Sequence, residues 1–321
     1  MKFNQVKVIG WASILFLLIF SSCREDRLDP DIKETVTPPK IQVISSIKGH
    51  VTDEDGLSLQ DVMIEVGDVS LITDENGFFE SEEITMDNSG TLVTAELAGY
   101  YLGAKMVNPQ VGSQEFVRIQ LLRKDISGFF DSNSGGTIST PDQVSIDFGA
   151  NSIVDQAGNI YNGNVQVYAK WIDPTHELLA SRMPGDLRAI DAEDEIVQLA
   201  TYGMVAVELE TNSGQSLQLA EGSNATITFP VPDELLAQAP STIPLWSFNE
   251  ENGYWIEESV ATLQNGTYVG DVPHFSFWNC DAPFPVVEFS ATIIYDNGDP
   301  VANTQVCITD ADAGTRYGWT N

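Results

Sequence analysis

The chain has 321 residues, of which 42% are hydrophobic, and it carries 47 acidic side chains against 15 lysines and arginines. This hydrophobic content is sufficient for the cores of two or three domains. A formal charge of −32 repels phosphate backbones, so we predict that the chain binds no nucleic acid.

The first 22 residues have the pattern of a secretory signal peptide. Lys2 and Lys7 precede an uncharged run of 13 residues, Val8 to Phe20, which is shorter than the ~20 residues that a membrane-spanning helix needs. The run ends in Ser-Ser-Cys, and a cysteine after two small residues resembles the lipobox of bacterial lipoproteins. We therefore predict removal of residues 1–22 and lipidation of Cys23. The alternative is an ordinary cleaved signal followed by a chance cysteine.

Residues 23–40 form a predicted tether. Its start, Arg24-Glu25-Asp26, resembles the export tag of surface lipoproteins in the Bacteroidetes group, which implies a lipid-anchored position at the outer membrane or the cell surface. A periplasm-facing anchor is the alternative. Leu28 to Lys40 contains three prolines and few apolar residues, so it should act as a stiff spacer. Without residues 1–22 the chain has 13 basic residues against 47 acidic ones, a formal charge of −34.

Turn residues and alternating apolar residues predict a small β-sandwich at Ile41 to Lys124. The acidic cluster Asp53–Gly56 ends in a glycine, which adopts the positive φ of a tight turn at little cost. Val62–Val66 alternates branched apolar residues with others, as a strand with one buried face does. A second turn, Thr73–Gly77, precedes Phe78-Phe79, and we expect both aromatic rings to enter the core.

The same region contains the motifs GHVTDEDGLSLQDVMIEV, TDENGFF, LAGY and VRIQL. With these motifs, residues 41–124 resemble the carboxypeptidase regulatory-like domain, a transthyretin-like β-sandwich. In that family the domain is an accessory module, so the resemblance implies no peptidase activity. The spaced His and Glu ligands of a zinc peptidase are not visible in the sequence.

The middle region, residues 125–283, is predicted to be rich in strands. A short helix is expected at Pro232–Gln238, where a proline and acidic residues occupy the first turn. Four segments alternate apolar with polar residues, the pattern of half-buried strands. They are Val144-Ile146-Phe148, Val165-Val167-Ala169-Trp171, Val205-Val207-Leu209 and Ala225-Ile227-Phe229.

The middle region also contains the motifs MPGDL, YGMV, IPLW, GYWIEE and HFSFWN. With them it resembles the domain that follows carboxypeptidase regulatory-like modules in proteins of the cartilage intermediate layer type. The resemblance implies an extracellular matrix or cell-surface protein. It assigns no chemical role to any single residue.

Residues 284–321 repeat the opening of the first sandwich. Asp296–Pro300 aligns with Glu54–Ser58, and the same alignment sets Val306 and Ile308 against Ile64 and Val66. The sequence stops at Asn321, before an equivalent of Gly77-Phe78-Phe79. We therefore expect an incomplete second carboxypeptidase regulatory-like repeat in a fragment of a longer protein. A lone two-stranded ribbon is marginal in water, so this tail should be poorly protected unless it docks.

Tryptophans and one histidine are the first candidates for binding or catalysis. Trp171, Trp246, Trp255 and Trp278 lie in strand patterns, so we interpret them as core residues rather than a platform on which sugars stack. His274 lacks a His or Cys at metal-ligand spacing. We interpret it as a structural histidine rather than a general base or a ligand.

Acidic clusters and cysteines are the remaining candidates. Asp53–Asp55 with Asp74–Asn76, or Asp191–Glu195, supply oxygen ligands suited to calcium, but no EF-hand loop is present. We interpret these clusters as turns and surface. With Cys23 committed to lipid, Cys280 and Cys307 are free to pair in an oxidising compartment, although the repeat alignment places Cys307 on an outer face; the sequence leaves this pairing open.

The whole sequence indicates an all-β fold of tandem β-sandwich domains, transthyretin-like or Ig-like, after the signal peptide and linker. It contains no Gly-x-Ser-x-Gly elbow, and paired carboxylates are too common in so acidic a chain to identify a glycosidase. We predict no catalytic residues, no cofactor, no metal site and no enzyme activity. The predicted function is a structural, adhesion or interaction module, with outer-membrane lipid as a partner through Cys23 and an unidentified protein or glycan as another. The alternative is an accessory carbohydrate-binding lipoprotein for polymer capture or degradation.

Overall fold

The computed structural model describes residues 41–285, 293–299, 301, 305–310 and 314–319. Across these ranges the fold is all-β, which confirms the predicted class of tandem β-sandwiches. The two helices of the described residues are single turns, α1 (Leu179–Arg182) and α2 (Asp233–Leu236). The helix expected at Pro232–Gln238 is therefore present in a shorter form. No helix in these ranges has the length and apolar content that crossing a bilayer requires.

The first sandwich consists of two four-stranded sheets. One has the order β4-β1-β5, with β8 parallel to β1, and the other has the order β3-β2-β6-β7. The strands are β1 (Gln42–Thr52), β2 (Met63–Val66), β3 (Val69–Ile72), β4 (Phe78–Glu80), β5 (Ile84–Asp87), β6 (Thr91–Glu96), β7 (Gly103–Val107) and β8 (Gln114–Gln120).

The core of the first sandwich follows the predicted alternation, with one exception. Val62, Ile64 and Val66 are buried between the sheets, as expected. Phe79 is buried too, but Phe78 is 50% exposed. The expectation that both rings enter the core is thus wrong for Phe78, because successive side chains of a strand point to opposite faces.

The second sandwich is built from one continuous sheet of 13 strands. The main order is β10-β11-β17-β20-β19-β18-β21-β15-β13-β9, and β12, β14 and β16 pair beside it. The strands are β9 (Ile126–Asp131), β10 (Gly136–Ser139), β11 (Ser145–Phe148), β12 (Ile153–Asp155), β13 (Asn164–Ile172), β14 (Arg188–Ile190), β15 (Ile196–Thr211), β16 (Ser216–Leu219), β17 (Ala225–Pro230), β18 (Thr242–Phe248), β19 (Trp255–Gln264), β20 (Thr267–Val272) and β21 (Phe277–Pro285).

This long sheet folds back on itself around a core. β9 and β10 stand at opposite ends of the strand order, yet a tight turn and a bridge between Asp131 and Gly135 join them. The four segments with predicted alternation fall on β11, β13, β15 and β17, and their apolar residues are buried in this core apart from the partly buried Trp171. The prediction of half-buried strands in the middle region is confirmed.

A further apolar cluster lies where the two sandwiches pack together. Tyr101, Ala104 and Leu122 from the first sandwich join Trp246, Trp255 and Phe277 from the second. The amide of Gly185 also donates to the carbonyl of Ala104 at 3.1 Å. The domain boundaries placed at residues 124 and 283 stay predictions, and the apolar packing extends across the first of them.

The described part of the tail repeats a turn of the first sandwich. Three backbone hydrogen bonds of 2.8 to 3.0 Å recur at equivalent positions. They join Asp53 to Leu57, Gly56 to Asp53 and Leu59 to Val51 in the first copy, and Tyr295 to Asp299, Gly298 to Tyr295 and Val301 to Ile293 in the second. Gly56 has a φ of 78° and Gly298 a φ of 89°, the left-handed conformation that a glycine adopts most readily.

Two strands follow this second turn. β22 (Gln305–Asp310) and β23 (Gly314–Trp319) pair antiparallel as a two-stranded sheet. The side chains of Val306, Cys307 and Ile308 lie outside the described residues, and so do the predicted signal peptide, Cys23 and the tether. The incomplete second repeat and the poor protection of the tail stay predictions.

Candidate functional site

A concave cleft opens between the two sandwiches, and we call it the junction cleft. Its volume is about 580 Å³. One wall is the segment Glu96–Leu102, which connects β6 to β7, and the other is formed by β15, β16 and the residues before β21. Its lining combines apolar side chains with three carboxylates. The apolar ones include Met63, Leu97, Leu102 and Phe277, and the carboxylates are Glu96, Glu208 and Glu250.

The carboxylates of the junction cleft carry more charge than the neighbouring cation neutralises. Lys124 Nζ lies 2.5 Å from a carboxylate oxygen of both Glu208 and Glu210. Burial lowers the pKa of Lys124, but these two hydrogen bonds outweigh it and raise the pKa overall. Among the described residues neither Glu96 nor Glu250 has an ion pair. Burial, followed by the charges of Glu208 and Glu96, raises the pKa of Glu250.

Tyr101 lines the junction cleft and leaves one polar atom unsatisfied. The residue is 2% exposed, and its ring meets the ring of Phe277 edge-on at 6.3 Å. Its hydroxyl has no hydrogen-bond partner among the described residues. Burial, and then the charge of Glu208, raises the pKa of Tyr101, so the hydroxyl stays protonated. A buried hydroxyl without a partner costs about 1–3 kcal/mol, and a bound molecule that reaches it recovers that cost.

The tryptophans behave as predicted, with one intermediate case. Trp246, Trp255 and Trp278 are 0% exposed, so they offer no face on which a sugar could stack. The indole N–H of Trp278 donates to the carbonyl of His274 at 3.0 Å. Trp171 is half-buried against the core of the second sandwich. The core interpretation is confirmed for the first three.

His274 contacts a carboxylate and an aromatic ring, and its interpretation as a structural histidine stays a prediction. Its Nε2 lies 3.0 and 3.1 Å from the two carboxylate oxygens of Glu258. Its ring also packs against Trp278, with the centroids 5.2 Å apart. Burial raises the pKa of Glu258, but its hydrogen bonds with His274 and Ser247 outweigh burial and lower the pKa overall.

The acidic clusters form turns, as interpreted. Each first aspartate accepts two backbone N–H bonds within its own turn. Asp53 accepts from the N–H groups of Asp55 and Leu57 (2.9 Å each), Asp74 from those of Asn76 and Phe78 (2.9 and 2.8 Å), and Asp191 from those of Glu193 and Glu195 (3.0 and 2.8 Å). Within the described part of the chain, no group of three or more His, Cys, Asp or Glu side chains is arranged to hold a metal ion.

The first acidic turn also connects distant parts of the chain, which sequence reasoning missed. Arg123 forms ion pairs with Asp53 and with Asp55, the latter at 2.8 Å. Lys170, from β13 of the second sandwich, pairs with Glu54 at 2.7 Å. The cluster therefore carries its own cations, which favours a structural role over calcium binding.

Cys280 is a buried thiol without a disulfide among the described side chains. The side chain of Cys307 lies outside the described residues, so the pairing that the sequence left open stays untested. The Sγ of Cys280 lies 3.3 Å from the carbonyl oxygen of Gly203. Burial raises the pKa of the Cys280 thiol, and the neighbouring charge of Asp281 adds to that. A buried, protonated thiol is a poor nucleophile.

Asp281, on β21, has a buried carboxyl group whose titration should make the stability of the fold depend on pH. It is 0% exposed, one carboxylate oxygen has no partner in the described structure, and burial raises its pKa well above the usual value. The folded carboxyl is then protonated at pH values where the unfolded one is ionised, so it destabilises the fold increasingly as pH rises above about 4. Asp281→Asn should raise the melting temperature at pH 7.5 and leave it nearly unchanged at pH 4.

Thermal scans between pH 4 and 8 measure this effect, with Asp142→Asn as the control. Asp142 is exposed, so its substitution should change little at any pH. A melting temperature lowered by Asp281→Asn at pH 7.5 would show instead that an ionised carboxylate is needed there.

Part of the chain is similar to cartilage intermediate layer proteins. Human cartilage intermediate layer protein 2 is 34% identical over 102 residues, which is 32% of this chain and 9% of that protein. Human cartilage intermediate layer protein 1 is 26% identical over 163 residues, 48% of this chain and 13% of that protein. The chain thus spans only 9 to 13% of the length of these relatives. No family model matches the chain.

Solved structures with similarity to the chain include two bacterial proteins. A DUF3823 family protein from Parabacteroides merdae is 9% identical, with 73% of this chain and 98% of that chain covered and a TM-score of 0.20. A protein of unknown function from Bacteroides fragilis, provisionally described as membrane-associated, is 9% identical, with 76% and 99% covered and a TM-score of 0.22.

Proposed function

We propose that this protein is a non-catalytic interaction module held at the outer membrane or the cell surface by a lipid on Cys23. The junction cleft is the observation that carries the binding role. The cleft has a volume of about 580 Å³. Its lining includes two serines, Ser216 and Ser276, but no histidine, cysteine or lysine. A concave site that combines apolar side chains with a few charged groups is typical of a binding site, so we assign the cleft to binding.

The position at a membrane surface is supported by the sequence. The short apolar run and the cysteine after two small residues fit a lipoprotein leader, and the prolines of residues 28–40 fit a spacer. The partial similarity to proteins named for a layer of cartilage agrees with an extracytoplasmic role. The large negative charge keeps the module away from nucleic acid and soluble around its anchor.

A protein partner fits the structure better than the alternative role in carbohydrate capture. That alternative uses the aromatic middle region as the carbohydrate-binding surface, and three of the four tryptophans in this region are fully buried. The interaction role needs only the concave junction and its charge. We therefore do not make carbohydrate capture a second proposal.

Cys23→Ala tests the anchor. Because the acyl chains would be attached to this thiol, the variant should move from the membrane fraction to the soluble fraction of cells expressing the full chain. Fractionation with immunoblotting measures the change, and mass spectrometry of the parent should show lipid on Cys23. Cys280→Ala is the matched control, since it removes a thiol from the folded core and should stay with the membrane. An unchanged membrane fraction for Cys23→Ala contradicts the anchor.

A further inference from the structure

We propose that the junction cleft binds a basic side chain, lysine or arginine, presented by a protein partner. The assignment rests on the proposed binding role and names the class of ligand that the cleft accepts. Three independent features of the cleft carry it: its unbalanced negative charge, an unpartnered buried hydroxyl, and an apolar lining beside the carboxylates.

The charge of the cleft lacks a counterion from its own lining. Glu96, Glu208 and Glu250 line it, whereas no lysine, arginine or histidine does. Lys124 approaches from outside the lining and is shared between Glu208 and Glu210, at 2.5 Å from each. A concave site with low-dielectric walls concentrates the field of such charges, so it attracts a cation more strongly than the same carboxylates would on an open surface.

Tyr101 adds an observation that does not depend on the carboxylates. It is 2% exposed and lines the cleft, and its hydroxyl has no partner among the described residues. An ammonium or guanidinium group carries only donors, while a hydroxyl oxygen has lone pairs to accept them. A basic side chain that reaches Tyr101 therefore satisfies a polar atom that the protein alone leaves unsatisfied.

The apolar lining selects an organic cation with a hydrocarbon stem. Met63 is 43% exposed at the edge of the cleft, and Leu97 and Leu102 line the wall beside the carboxylates. Lysine and arginine bury their methylene stems on apolar surface while the charged head meets polar groups. A metal ion gains nothing from such a lining, and the described carboxylates are not grouped as metal ligands.

The test uses the mature full chain in detergent and two labelled peptides. The probe is acetyl-Ala-Lys-Ala-Arg-Ala-amide, and its partner carries glutamine at both basic positions. Fluorescence anisotropy in low salt should show binding of the basic peptide and at least tenfold weaker binding of the glutamine peptide. Salt should weaken the binding, since part of it is electrostatic.

Matched variants distinguish binding of the peptide in the cleft from its general attraction to an acidic chain. Glu250→Gln should weaken binding about tenfold and Tyr101→Phe about threefold, losses of roughly 1.4 and 0.6 kcal/mol. Glu221→Gln and Asp142→Asn remove the same charge from positions that do not line the cleft and should change the affinity less than twofold. Glu250→Gln removes a carboxylate that is repelled by its neighbours, so its melting temperature should not fall.

Two results overturn the proposal. One is equal weakening by Glu250→Gln and by the two control variants, which would mean diffuse attraction to an acidic protein. The other is that the basic peptide binds no better than the glutamine peptide, which includes the case in which neither binds. Neither result affects the fractionation of Cys23→Ala. The peptide assay therefore tests the class of ligand, and the fractionation separately tests the location of the protein.

Discussion

Trp246→Ala should lower the free energy of unfolding by about 3–5 kcal/mol. Trp246 is 0% exposed in the apolar cluster between the sandwiches, and its indole N–H donates to the carbonyl of Asp281 at 3.1 Å. The substitution leaves a large cavity and a buried carbonyl without its donor. Urea unfolding followed by circular dichroism measures the loss.

Trp171→Ala is the matched control for this experiment. Trp171 is only half-buried, at the edge of the core of the second sandwich, so its removal should cost clearly less. If both variants lose the same stability, the tight packing assigned to Trp246 is wrong. Because Trp246 is buried, a loss of ligand binding in Trp246→Ala would reflect unfolding rather than a lost contact with the ligand.

Lys105→Met should stabilise the protein at pH 7 and lose that advantage as pH rises. Lys105 on β7 is 8% exposed, and its ammonium donates to the carbonyl of Met183 at 2.5 Å. Burial lowers the pKa of Lys105 to about 7, an effect that the charge of Asp186 partly opposes. Between pH 7 and the unfolded-state pKa of about 10.4, the unfolded chain holds one more proton than the native chain at this site.

The stability of the parent protein therefore gains about 1.4 kcal/mol per pH unit from this lysine over that window. Methionine keeps the apolar stem and does not titrate, so the difference between variant and parent should be largest at or below pH 7 and shrink up to pH 10. Denaturant unfolding at a series of pH values measures it. Lys48→Met, at an exposed position of β1, should show no such trend. A difference for Lys105→Met that is constant with pH contradicts the lowered pKa.

The strands and turns of the first sandwich were predictable because their signals are local. Alternation at Val62–Val66 depends on a strand's period of two, and the turn at Asp53–Gly56 depends on an aspartate that caps its own backbone and a glycine with positive φ. The same local rule recurs at Gly298, which is why the repeat was visible in the sequence. The error at Phe78 came from treating two adjacent aromatics as one unit, although the period of two separates them.

Burial of the large aromatics was only partly predictable. An aromatic residue in a strand pattern is more often core than surface, and that rule holds for Trp255 and Trp278. The rule does not explain why Trp171, which also lies in a strand, is only half-buried. Whether a strand face is covered depends on what packs on it, and for Trp246 that cover includes residues of the first sandwich.

By itself, the sequence determined the all-β class, the alternating core positions, the acidic turns and their repeat, since each depends on residues within a few positions of one another. Only the tertiary structure decided the junction cleft. Glu96, Glu208 and Glu250 belong to segments far apart in the chain, and nothing local to any of them indicates that the others are near. The same holds for the unpartnered hydroxyl of Tyr101 and for the pairing of Lys170 with Glu54. These contacts depend on how two sandwiches pack, which is set by the fit of whole surfaces rather than by a sequence period.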